Sequence, residues 1–374
     1  WGPYEEILLG AAGVNLVPDS SLIVLEGTTV YIPLHASITN HGSVLTMYGD
    51  RDAPVTLLFA QDEAEFVTST NSSLGWGQVR IDSGGRLLAL HVIVTGAGAD
   101  VSNAWGHSSS EPAVRVVGKR TAATLIGGGI VDCPGKAIGS QEAEVFLEDL
   151  LISRVDTGGE HRASKVTMRN CHVLEIPGAR PPSGSAPASG QEEQGDDNDG
   201  VYLKGVYRRP GRPKSLAGSL ITGCVFSQGG DDAIDVNGAA VLVHRTLIDG
   251  WRHEGVAASG RSSWSIVMIL DSRIESCEQG VEAGYGAPQI LARDVLVKDC
   301  VVGFRFGDGY DWKYSGRLTA LRGAVVGCQV PIMNHVWRRS PRTKQRREVP
   351  LSELLAAPRN GVPGTPHMLS LGEL

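Results

Sequence analysis

Five short phrases recur down the second half of the chain: DGVYL, DAIDV, EGVAA, QGVEA and VGFRF. They begin at residues 199, 232, 254, 279 and 302, so the steps are 33, 22, 25 and 23 residues. Between them lie one or two further apolar segments, such as AVLVHRTLI and SIVMILDSRI. A unit of about two dozen residues holding three short strands cannot bury its apolar face alone. Stacking on the next unit, at about 4.8 Å, closes the core. The fold expected is therefore all-β: a right-handed parallel β-helix (solenoid) with loop insertions and a C-terminal tail.

The rest of the chain fits one solenoid better than several compact domains. Residues 1–75 hold looser strands (SLIVL, TTVYIPL, SVLTMYG, VTLLFA) and read as the N-terminal strands or cap. Regular coils are expected over 76–335, interrupted by a Pro/Gly/Ser-rich insertion at 178–200 and a basic one at 205–215. Residues 336–374, with RRSPRTKQRR and PLSELLAA, read as a basic tail or C-terminal cap. The 48 glycines and 6% aromatic content suit many tight turns and small residues. A formal charge of −7 argues against nucleic acid as the main partner. No apolar run approaches the roughly 18 residues of a membrane span. The start, WGPYEEILLG, lacks a basic n-region and reads as a mature or excised segment, so other domains of a longer chain are candidate partners. One sequon, Asn71-Ser72-Ser73, is compatible with secretion.

The six cysteines (Cys133, Cys171, Cys224, Cys277, Cys300, Cys328) each follow a strand and read as small buried thiols at one recurrent turn. There is no Cys-x-x-Cys pair to suggest a metal site.

Stacking turns the aligned phrases into columns. One column reads Asp199, Asp232, Glu254, Gln279, Val302, and the residue before each reads Asn198, Asp231, His253, Glu278, Val301. A third column reads Tyr202, Asp235, Ala257, Glu282, Arg305. Carboxylates filed at coil spacing repel if all are ionised. Protons, a cation, splay into water or the nearby basic loop must relieve them. Three explanations stay open. The acids are turn residues that satisfy backbone donors. Or they hold Ca²⁺, with Asp197, Asp199, Asp232 and Glu254 as the candidate ligands. Or they are catalytic.

For the last, the chain resembles the pectin-hydrolysing polygalacturonases of the pectin-lyase-like superfamily. Those carry an Asn-Thr-Asp-Gly, an Asp-Asp pair and a Gly-His-Gly on this fold. The matching pieces are NDG with Asp199, GGDDAI with Asp231 and Asp232, and RHEG with His253. The resemblance implies inverting hydrolysis: Asp232 the acid, Asp199 and Asp231 the base pair, His253 a positioning group. The threonine is absent, Glu254 replaces a glycine, and EAGYGAPQILAR stands where an Arg-Ile-Lys would be. A broader likeness, over most of the chain, is to β-helix modules of secreted and cell-surface proteins.

The reading adopted from sequence is an extracellular or cell-surface module that binds or scaffolds polysaccharide or another cell-surface polymer, with Ca²⁺ as the candidate ion. The competing reading is a polysaccharide-degrading enzyme, a polygalacturonase-like glycoside hydrolase or a lyase, at Asp199, Asp231, Asp232 and His253. Tyr202, Arg208, Arg209, Glu254 and Glu282 are candidate substrate contacts. Trp251 is a candidate sugar-stacking ring, with packing at the rim of the coil as its alternative.

Overall fold

The computed structural model describes residues 1–60, 74–177, 198–208, 218–260, 265–307 and 316–334, with short strands at Trp337–Arg339 and Arg346–Glu348. It is a parallel β-helix. Twelve strands, from Val14–Leu16 to Val330–Asn334, form a first face. Twenty-one more form the second and third faces, fused into one sheet because Arg86–Val94 and Ala122–Cys133 run through the bend between them. One coil reads Ile234–Asn237 on the first face, Ala240–His244 on the second and Leu247–Trp251 on the third. Glu254–Gly260 then opens the next. Right-handed winding is the hand that right-twisted strands impose on parallel crossovers. The strands at 337–339 and 346–348 lie in the predicted tail and pair antiparallel, apart from the solenoid sheets.

The bend between second and third faces has a local cause. Asp149, Asn170, Gly223, Arg245, Asp271, Asp294 and Arg322 occupy it in successive coils with φ between 48° and 66°. Asp and Asn tolerate the left-handed region best among non-glycine residues, because their short polar side chains bond locally. In four of these coils the next residue closes the bend by bonding the carbonyl two positions back. Cys171 bonds Arg169, Cys224 bonds Thr222, Thr246 bonds His244 and Ser272 bonds Leu270. Cys133, Cys277, Cys300 and Cys328 make the same bond to Val131, Glu275, Lys298 and Val326, but at the corner after the third face. The cysteines thus mark two corners rather than one. Sequence could not separate them, because both corners use a left-handed residue followed by a small inward group. All six are free thiols.

Inward columns form the core. On the third face Ile130, Ile152, Val173, Phe226, Ile248, Ile274 and Val297 pair in succession, each at most 1% exposed. Trp251 belongs to this interior. It is 1% exposed, pairs with Gly229 and packs its indole where a side chain on Gly229 would stand. A sugar therefore has no access to the ring, and the candidate stacking role for Trp251 is corrected to core packing. The error was one of phase: Trp251 ends an inward position of a third-face strand instead of lying on the turn that follows.

Truncating Trp251 to Ala removes this packing at a site flanked by glycines that cannot refill it. The expected loss is about 3–5 kcal/mol, read as a fall in the urea midpoint. An unchanged midpoint would mean that the ring is not part of the core.

Candidate functional site

Long connections are not spread evenly. From Glu144 onward the second-to-third-face bend takes two residues per coil, whereas the connections 60–78, 95–111, 177–200, 205–218, 261–265 and 307–316 all border the first face. Binding residues concentrate where connections cluster, so residues pointing outward from this face are the ones a ligand would meet.

Two outward columns of this face carry the acids. Val201, Ile234 and Val256 pair on successive coils, which files Asp199, Asp232 and Glu254 two positions earlier; Gln279 and Val302 continue that column. Tyr202, Asp235, Ala257, Glu282 and Arg305 pair in sequence as the second. Asp199 is 2% exposed, Asp231 6%, and Asp232, Glu254 and Glu282 8% each. The Asp232 carboxylate accepts the Glu254 backbone N–H at 2.9 Å. His253 Nδ1 lies 2.8 Å from Asp231 Oδ1 and keeps about a third of its side chain exposed. One ligand atom from each of Asp231, Asp232 and His253 falls within 4.8 Å of the others.

So many buried acids cannot all ionise at neutral pH without compensation. Burial, then repulsion from Asp231, Asp199 and Asp235, drives the Asp232 carboxyl well above its ordinary range, against the bond with Glu254. Burial and the Asp232 charge do the same to Glu254. Asp235, half-buried, is pushed to about 7 by burial and Asp231, with His107 opposing. Among the described residues Arg305 pairs with two of them: its Nη1 lies 3.0 Å from Glu282 Oε2 and 3.8 Å from Glu254 Oε1, and Lys204 also opposes the shift of Asp235. The resemblance expects a cationic pair within EAGYGAPQILAR; Arg305 stands instead one coil beyond Glu282, in the same column.

The other candidates fare differently. Tyr202 is 2% exposed because His107 stacks on it, ring centroids 4.9 Å apart and planes 11° apart. Its ring is covered rather than presented, so direct substrate contact through that ring is corrected. Arg208 is exposed and makes no ion pair with the acids among the described residues. Asp197 and Arg209 lie outside the described residues.

His107 arrives on the 95–111 connection, whose placement the sequence did not disclose. Lys136 and Glu160, 0% and 1% exposed, form an ion pair at 2.7 Å on the first face. Lys136 Nζ also donates to the Trp105 carbonyl at 2.6 Å, and Glu160 accepts the His107 N–H at 2.7 Å. Gly106, between them at φ 100°, lies against the Glu160 carboxylate where no side chain would fit. The buried pair is thus satisfied by the loop backbone that it anchors, as buried charges require.

The chain matches no protein-family model and no curated protein. Among solved structures it is similar to an alginate lyase from Paenibacillus sp. str. FPU-7, at 12% identity and a TM-score of 0.39, covering 83% of this chain and 92% of that one. It is also similar to pectate lyase Pel9A (11%, 0.36, covering 81% and 69%). A third is the catalytic domain of a GH87 alpha-1,3-glucanase in complex with nigerose (9%, 0.40, covering 82% and 61%). Likenesses this loose carry no functional weight, and the chemistry of the site rests on its own residues.

Proton uptake gives a stability test. Asp235 holds its proton up to about 7 in the folded chain against an ordinary 3.8. Glu111, buried on the same face, does so up to about 7 against 4.5. The folded state therefore binds more protons within these windows, so stability is full below them and falls as pH rises through them. The urea midpoint of metal-free protein should drop between the ordinary carboxyl range and neutrality, and Asp235→Asn with Glu111→Gln should flatten the drop. A midpoint that climbs across this window would contradict the burial argument.

Proposed function

We propose that the acidic end of the first face holds a divalent cation, calcium being the candidate, and through it engages polysaccharide. The observation that carries this is the convergence of Asp231, Asp232 and His253 within 4.8 Å, in a group of buried carboxyls. Buried charges persist when they are paired or bound to metal. Of the ligands expected from sequence, Asp199, Asp232 and Glu254 share one column, and Asp231 joins them from the adjacent position. The oxygen donors suit Ca²⁺; His253, a nitrogen donor, is better placed holding Asp231 in position. Gln279, next to Glu254 in that column and 7% exposed, leaves its Oε1 buried without a hydrogen-bond partner, an acceptor that a nearby cation or its water would satisfy. The ion's chemistry is charge neutralisation and a bridge to hydroxyl or carboxylate oxygens of a sugar. Location outside the cell or on its surface belongs to the same proposal; among the described residues no helix is long and apolar enough to cross a membrane.

A second reading is favoured by one feature. The Asp232 carboxyl, driven to retain its proton, would serve as the general acid of a glycoside hydrolase. Against the inverting form, the Asp231 and Asp232 ligand oxygens lie within 4.8 Å, short of the roughly 6.5–9.5 Å that leaves room for a water.

Calcium added to chelator-treated protein should raise its melting temperature and give a saturable calorimetric isotherm, both lost in Asp232→Asn. A melting temperature indifferent to calcium and chelator would sink the cation site. Release of reducing ends from polygalacturonate or alginate by wild type, absent in Asp232→Asn, would move the conclusion to hydrolysis.

A further inference from the structure

Toward the N-terminal end of the first face the charge reverses sign. Arg80 and Arg115 pair directly on successive coils, in the outward column that continues through Gly139 and Glu160 to Tyr202 and Asp235. Two guanidinium groups on strands about 4.8 Å apart repel. The nearby carboxylates are already committed. Asp82 accepts from Arg80 Nε at 2.9 Å through one oxygen, and its other lies 2.7 Å from His41 Nδ1. Glu111, 1% exposed, accepts from Gln78 Nε2 and from the Asp100 N–H, each at 2.8 Å. Glu160 is held by Lys136 and by Arg162, the latter at 3.1 Å.

Arg115 is therefore left with no ion pair among the described residues, and its Nε is buried without a hydrogen-bond partner. A half-buried guanidinium with an idle donor is a destabilising arrangement in the absence of an anion. Its surroundings suit one. On the next coil Gly139 is buried without a side chain: the Pro112 ring, and the edge of the Trp105 indole at 3.1 Å, stand against the place where one would begin. The guanidinium carbons of Arg115 and Arg162 lie 5.7 and 4.9 Å from the centre of that half-exposed ring. With Lys136 Nζ also over the ring at 5.6 Å, three cations lie on the indole, and the planar forks beside it suit an oxyanion.

We propose that Arg115, with Arg80 beside it and Trp105 alongside, forms a second binding site, which takes the oxyanion, carboxylate or sulfate ester, of an acidic polysaccharide. Four coil steps, about 19 Å at strand spacing, separate it from Asp235. The anion site stands without the cation site, and it rests on the polysaccharide reading only for the polymer that carries the anion.

The test titrates the protein, with chelator present and at low salt so that screening stays small, against polygalacturonate, dextran sulfate and neutral dextran. Inorganic sulfate is followed separately by melting temperature. Wild type should bind at least one polyanion and not dextran, and Arg115→Gln should weaken this about tenfold, the worth of a charge-assisted bond. Arg80→Gln should weaken it as well and carries the test if Arg115→Gln folds poorly. Arg154→Gln, which removes an equal charge from the third face, should bind as wild type does. Preference for polygalacturonate assigns the carboxylate; preference for dextran sulfate assigns the ester. If neither polymer binds but sulfate raises the melting temperature of wild type and not of Arg115→Gln, the anion site holds and the polysaccharide reading falls. Equal binding by wild type and both arginine variants, binding of dextran as tight as of the polyanions, or no response to any anion overturns the site.

Discussion

The hydrogen bonds that run from each coil to the next are the constraint on which everything else depends. They bind each inner strand of the first face to a partner above and below, and they fix which residue stands over which. A slip of one residue would turn every inward side chain outward, so the apolar columns lock the pairing in place. Charged residues inherit this discipline. Asp199, Asp232 and Glu254 are neighbours because Val201, Ile234 and Val256 must be. The backbone thus brings like charges together, and protons, Arg305 and the proposed cation answer a crowding that the fold itself creates.

What could be read from sequence follows from the same fact. The solenoid, the two acidic columns and even the place of Arg305 were legible, because they depend only on repeat spacing. Residues whose role depends on phase or on a loop path were not. Trp251 looked like a rim residue until the pairing with Gly229 put it inside. The cysteines looked like one corner because two corners share one chemical device. His107 gave no signal at all, since its position over Tyr202 is set by a connection anchored on the two preceding coils, by Lys136 and Glu160.

That anchor shows how polar chemistry is arranged on an otherwise apolar scaffold. A buried ion pair on a sheet face is a poor source of stability by itself. Here its spare hydrogen-bonding capacity is spent on the backbone of a loop, so that the pair specifies where the loop lies. The result is a first face divided in two: arginines and an indole toward one end, carboxyls and a histidine toward the other, with the covered Tyr202 between. Opposite charge at the two ends of one face gives an elongated ligand a direction as well as a place.

The two-residue bend between the second and third faces has a consequence for how such a chain can change. Its left-handed Asp, Asn, Gly or Arg leaves no slack, so length is absorbed elsewhere, at the corners beside the first face. Insertions there leave the strand pairing of the first face undisturbed. Whole coils, by contrast, can be gained or lost only as units. The solenoid therefore behaves as a ruler: the separation between its cationic and acidic ends is counted in coils, and a change of ligand length would be met by adding a graduation rather than by moving a side chain.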